Sequence, residues 1–184
     1  MFKKITVLFI VLLSFASTSS AMATSHGKTL SNLNGNDIMF AQMMIPHHQQ
    51  AIQMSKYALK NSTNMEIKKI ASAISSGQGG EISQMKYWLS ATKSSATMGH
   101  SMGHGMDMNG MISDSQMRTL SALKGAKFDR AFLGSMIEHH QGALEMVTLL
   151  RGTKNSEAKK LAKDITRVQK AEIAAMKKLL VKLA

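Results

Sequence analysis

An all-α fold is expected of this chain, a four-helix bundle built from two duplicated helical hairpins, for three reasons. Apolar residues recur at three- and four-residue spacing over four long stretches, whereas the alternation typical of strands is scarce. The first half of the chain also recurs in the second, and two copies of a helical hairpin make a four-helix bundle.

Residues 1–23 stand apart. Lys3 and Lys4 precede an apolar run at 5–16, and small residues follow as far as Ala21-Met22-Ala23, the layout of a secretory signal peptide. That run is about twelve residues long, too short to span a bilayer. Cleavage, a periplasmic or secreted address and no stable membrane insertion are therefore expected, leaving residues 24–184 as one domain.

The first helix is expected over about 37–60 behind an Asn36 cap, and the second over about 64–89. The third should run over about 127–151, closed by Gly152, and the fourth over 156–183, with a short helix near 113–123 before the third. The segment 94–112, rich in Gly, Ser, Met and His, reads as a linker that cannot build a core. Two features oppose regular helix. Pro46 has no amide to reach the carbonyl of Gln42 and predicts a kink or a new segment. Gly77, Gly79 and Gly80 cost roughly 1 kcal/mol each against alanine and predict a bend or break in the second helix.

Repeat 1 covers about 36–92 and repeat 2 about 127–183. Asp37, Phe40, Met44, Ile45, His47, His48, Gln49, Ala51 and Met54 recur as Asp129, Phe132, Met136, Ile137, His139, His140, Gln141, Ala143 and Met146. In the partner helices Gln78, Glu81, Ile82 and Met85 recur as Gln169, Glu172, Ile173 and Met176. On a helix turning about 100° per residue, Phe132, Met136, Ala143 and Val147 form a core stripe that His139 and His140 straddle, and the first helix repeats this around His47 and His48. Gln78, Glu81, Gln169 and Glu172 lie on or beside the facing stripes. Buried polar groups are costly unless paired or bound to something, so eight of them facing one interior point to a ligand site. Methionine on such a face is commonly core filler; a duplicated histidine pair with methionine seven residues on asks for more.

Composition narrows the ligand. The chain has no cysteine, so disulfides and thiolate sites are out, and any soft-metal chemistry falls to its 17 methionines. The net charge of +12 comes with few aromatics, scattered lysines and an exported address, which argue for a solvated surface and against nucleic acid. Thioether with imidazole suits copper: methionine for Cu(I), histidine for Cu(I) and Cu(II) alike. The Glu-x-x-His pattern of di-iron bundles is missing from the chain. The expected ligands are His47, His48, His139 and His140, with Met44, Met54, Met136 and Met146 as soft partners and Met85 and Met176 in reserve; Glu81 and Glu172 would orient imidazoles from outside the coordination sphere. In the linker, Met98, His100, Met102, His104 and Met106 read as a metal-capture arm. Cleavage after Ala23 would also expose Thr24-Ser25-His26, whose amine, backbone amides and His26 imidazole form a square-planar Cu(II) or Ni(II) chelate.

Phe128-Asp129 with Phe132, Met136-Ile137, His139-His140-Gln141-Gly142-Ala143 and Met146, followed by Gln169, Glu172-Ile173 and Met176, resemble the domain-of-unknown-function family numbered 305, as does the earlier copy from Met44 to Met54. The likeness covers roughly 36–182. It implies a ferritin-like four-helix bundle and, by similarity to the CopM-type periplasmic members, copper binding through His and Met. Glu138 departs from the pattern where the first copy has Pro46. The expected role is that of an exported protein that sequesters or carries copper and contributes to copper tolerance, with the metal ion as partner and another copper-handling envelope protein as its correspondent. The competing expectations are a non-covalent haem bundle with His and Met axial ligands and a metal-dependent oxidase; no enzymatic activity is expected, because no dedicated substrate pocket is evident in the sequence.

Overall fold

The computed structural model describes Leu30, residues 32–97 and residues 109–183. The expected leader, His26, and Met98, His100, Met102, His104 and Met106 of the linker lie outside the described residues. Within them the elements are α1 (Gly35–Asn61), α2 (Met65–Ala91), a short α3 (Asp114–Ala122), α4 (Gly125–Met146) continued by a 3-10 turn (Val147–Leu150), and α5 (Ser156–Lys182). α1 pairs with α2 and α4 with α5, each as a hairpin, and α1 packs on α4 to join the two.

The helix starts follow from local chemistry. Asn34, not Asn36, caps α1: its side chain accepts from the Asn36 and Asp37 amides, and Asp37 accepts from the Asn34 amide at 2.9 Å. This reciprocal capping box needs an acid three residues on, which Asn34 has in Asp37 and Asn36 lacks. Asn64 and Asn155 cap α2 and α5 in the same position relative to their repeats. Asp37 also accepts from the Thr153 hydroxyl at 3.0 Å, and Trp88 donates to Glu157 at 3.2 Å, tying the first hairpin to the start of α5.

Neither helix is broken at these places: α1 runs through Pro46 as one helix, and α2 runs through Gly77, Gly79 and Gly80. Proline costs about 3 kcal/mol in a helix interior, but Met43, Met44 and Ile45 before it and Ala51 and Met54 after it are all buried. At about 1.5–3 kcal/mol per fully buried large apolar side chain, packing on both sides outweighs the lost bond. The same holds in α2, where Ile67, Ala71, Ile74, Ile82, Met85 and Leu89 form a continuous buried stripe around the glycines.

The core is divided. One apolar cluster holds Phe40, Met44, Met85, Trp88, Met146, Leu161 and Ile165. The other holds Met54, Ile67, Ile74, Phe128, Phe132, Met136 and Met176. The repeat relates them: Phe40 answers Phe132, Met44 answers Met136 and Ile165 answers Ile74. The bundle therefore has an approximate two-fold axis, and the doubled histidines sit at its middle.

Candidate metal centre

All four histidines are fully buried, at 0 % exposure. α1 supplies His47 and His48 and α4 supplies His139 and His140, one turn beyond the apolar residues that anchor each helix. His47 and His139 meet across the α1/α4 seam with ring centroids 3.7 Å apart and planes inclined by 36°. Their sequence neighbours point away from the seam. His48 reaches Glu81 on α2 at 2.7 Å, and His140 reaches Glu172 on α5 at 2.8 Å. The arrangement is symmetric to within 0.1 Å here, and also in the spacing of each pair, 6.3 Å from His47 to His48 and 6.4 Å from His139 to His140.

The partners define which nitrogen carries hydrogen. A carboxylate or carbonyl oxygen only accepts, so His48 and His140 donate through Nε2 to Glu81 and Glu172, and His47 donates through Nε2 to the Asn109 carbonyl at 3.2 Å. In the neutral ring each of these leaves Nδ1 as a bare lone pair. All three Nδ1 atoms are buried without a partner, and both ring nitrogens of His139 are too. A carboxylate or carbonyl holding one imidazole nitrogen while the other is free is the usual arrangement of a metal-ligating histidine.

Burial, followed by the neighbouring His48, pushes His47 down to about 3, with the hydrogen bond to Asn109 acting in the opposite sense. Burial also holds His139 well below the ordinary histidine range, followed by the other three histidines. Both shifts favour the neutral ring, in which a nitrogen lone pair is open to a cation. Gln78, one turn before Glu81 on α2, and Gln169, one turn before Glu172 on α5, are a second matched pair of buried polar groups. Each is buried, and neither amide oxygen nor nitrogen has a partner. Unsatisfied buried polar groups cost about 1–3 kcal/mol each.

The six expected methionines of the bundle helices are all buried, but they fall into two separate apolar clusters. Met44 and Met85 share one apolar cluster with Met146, and Met136 and Met176 share the other with Met54. Each trio draws two members from one repeat and the third from the other. Among the described residues no three His, Asp or Glu side chains converge as a ready-made chelate, so the donors present are imidazole, amide and thioether.

Over the seam lies a feature the repeat did not reveal. Residues 109–112 cross from the linker into α3 above His47, and Gln50 binds Ile112 through both ends of its amide, at 2.8 and 2.9 Å. Gly142 lies directly beneath, where a Cβ would stand 1.7 Å from the Asn109 carbonyl oxygen. The available signal was the repeat itself, which has Gln50 in one copy and Gly142 in the other.

Fold and site together define a duplicated helical-hairpin bundle with a buried, symmetric imidazole layer. The family model described as "Domain of unknown function (DUF305)" matches residues 37–180, and the chain belongs to that family. It is similar to a DUF305 protein from Streptomyces coelicolor (TM-score 0.74, 29 % identity, 80 % of this chain and 93 % of that one). A DUF305 fragment from Deinococcus radiodurans is equally close in fold (TM-score 0.73, 30 % identity, 81 % and 97 %). CopM in its Cu(II)-bound form is more similar in sequence (38 % identity, TM-score 0.68, 80 % and 97 %), and that protein is also solved in Cu(I)-bound, Ag-bound and apo forms. No protein with a curated description matches the chain.

Proposed function

We propose that this protein binds copper in the histidine layer and acts as an exported sequestering or carrier protein that contributes to copper tolerance. One observation carries the reading. Four fully buried imidazoles leave five ring nitrogens without a partner, in a bundle whose two apolar clusters both contain buried methionines. The likeness to CopM, solved with copper and with silver, supports it. Imidazole accepts either oxidation state, while thioether favours Cu(I), so the methionine trios bias the layer toward the cuprous ion. Glu81 and Glu172 accept from Nε2 of His48 and His140 and so favour the tautomer that leaves Nδ1 free as a metal donor.

Binding rather than catalysis fits a layer whose rings are fully enclosed, since an ion can be held there while a second reactant has no place beside it. The signal-like leader supports export, and among the described residues no helix is long and apolar enough to cross a membrane. The Met- and His-rich segment 98–108 would be a lower-affinity capture arm, and a further copper-handling protein of the envelope would take the metal on. Anaerobic Cu(I) loading and aerobic Cu(II) loading, each followed by gel filtration and metal analysis, test the reading. Retention of at least one Cu(I) per chain is expected. Copper-free protein after both treatments would overturn it.

A further inference from the structure

We infer that residues 109–112 are a gate over the buried histidine pair, and that its opening controls entry and release of the ion. The nature of the ion rests on the copper reading; the gate itself rests on geometry. The Asn109 carbonyl takes the Nε2 hydrogen of His47, so the strap touches one ring of the imidazole pair directly. On the α1 side Gln50 grips the Ile112 backbone with two hydrogen bonds. On the α4 side the Asn109 side chain donates to Glu145, and the strap backbone lies where any side chain at position 142 would have to be.

Gln50 and Gly142 occupy the same position of the two repeats. The repeat is otherwise faithful here, with His-His-Gln before and Ala after in both copies. Its departure falls where a single strap crosses a two-fold axis: one copy supplies the clamp and the other supplies the room. Gly110 has a positive φ of 83°, and a Cβ there would come within 2.6 Å of the Glu138 carbonyl oxygen, so the strap can press onto α4 only as glycine.

Outside the strap is a cavity of about 360 Å³ lined by Glu138, Gln141, Glu145 and Gln116 along with the strap itself. Carboxylates there meet a cation before it reaches the neutral rings within. The strap is held by a handful of polar contacts, the partial burial of Met111 and the burial of one core side chain, Ile112, whereas parting α1 from α4 would break the core. Local opening of the strap is therefore the low-energy route to His47 and His139.

The test is carbethoxylation of the full-length apo-protein by diethylpyrocarbonate, with modified histidines located by peptide mass spectrometry. Gly142→Ala pushes the strap away, and Gln50→Leu releases its clamp without crowding it. Gly134→Ala, on the same helix with nothing within 4 Å of its new methyl, is the control. The gate predicts modification of His47 and His139 at least about tenfold faster in both strap variants, with control and wild type alike. Transfer of Cu(I) from loaded protein to bicinchoninate should accelerate in parallel. Unchanged carbethoxylation in variants that keep wild-type helicity and melting overturns the gate, whether or not copper binds. Accelerated carbethoxylation in protein that holds no copper at the pair supports the gate and counts against the copper reading alone.

Discussion

His47 and His139 are neutral because burial removes the water a charged imidazole needs, and the same fact couples stability to pH. The folded pKa of His47 lies near 3 against an ordinary 6.5, so between those values the unfolded chain binds more protons than the folded one. The stability gained from keeping His47 neutral is fully present above about pH 6.5 and is lost as pH falls toward 3, and His139 acts in the same direction. The slope is about 1.4 kcal/mol per pH unit for each proton taken up. Urea midpoints of the apo-protein should fall steadily from pH 7 to pH 4.5, and His47→Gln should flatten the slope. Equal slopes in the two proteins would contradict a buried neutral His47. The four histidine positions were legible in the sequence because the repeat doubled them. The hydrogen positions were not, because they depend on Glu81, Glu172 and a backbone carbonyl 62 residues from His47, and no periodicity announces a carbonyl.

Helix composition alone would have broken α1 at Pro46 and α2 at its glycines, and tertiary packing overrides both. That override gives glycine two meanings in this protein. At Gly77 and Gly80, both exposed, a Cβ would meet nothing within 4 Å, so no packing demand requires glycine there. Alanine at each should stabilise the fold by roughly 0.5–1 kcal/mol through helix propensity, read as a raised urea midpoint. A loss of stability would mean that α2 is not the continuous helix described. At Gly142 the identical substitution meets the strap backbone. Helix existence and approximate limits were readable from apolar spacing, and the short α3 from Ser113 and Gln116, which form its capping box. The cap of α1 was misplaced by two residues because Asn34 and Asn36 look alike until the partner acid is counted from each. The strap went unread because its residues carry no apolar period and are held by contacts from two distant helices.

Duplication explains the plan of the whole molecule. Two hairpins that each bury one histidine pair create a single shared layer when joined, with His47 against His139 on the axis and the carboxylate-bound His48 and His140 outside it. The methionine trios show why the site was only partly legible. Every member was visible as a buried helical position, but each trio mixes the two repeats, and the mixing is set by how α1 packs on α4. Because the layer belongs to both halves, damage to either should damage the whole. Competition titration of Cu(I) against bicinchoninate, with wild type beside His47→Ala/His48→Ala and His139→Ala/His140→Ala, tests this directly. Both double variants should lose at least about tenfold in the affinity of the tightest site, or roughly 1.4 kcal/mol, and by similar factors, with apo-protein melting confirming that each is folded. Undiminished tightest affinity in both folded variants would contradict the account and leave the paired histidines as core residues.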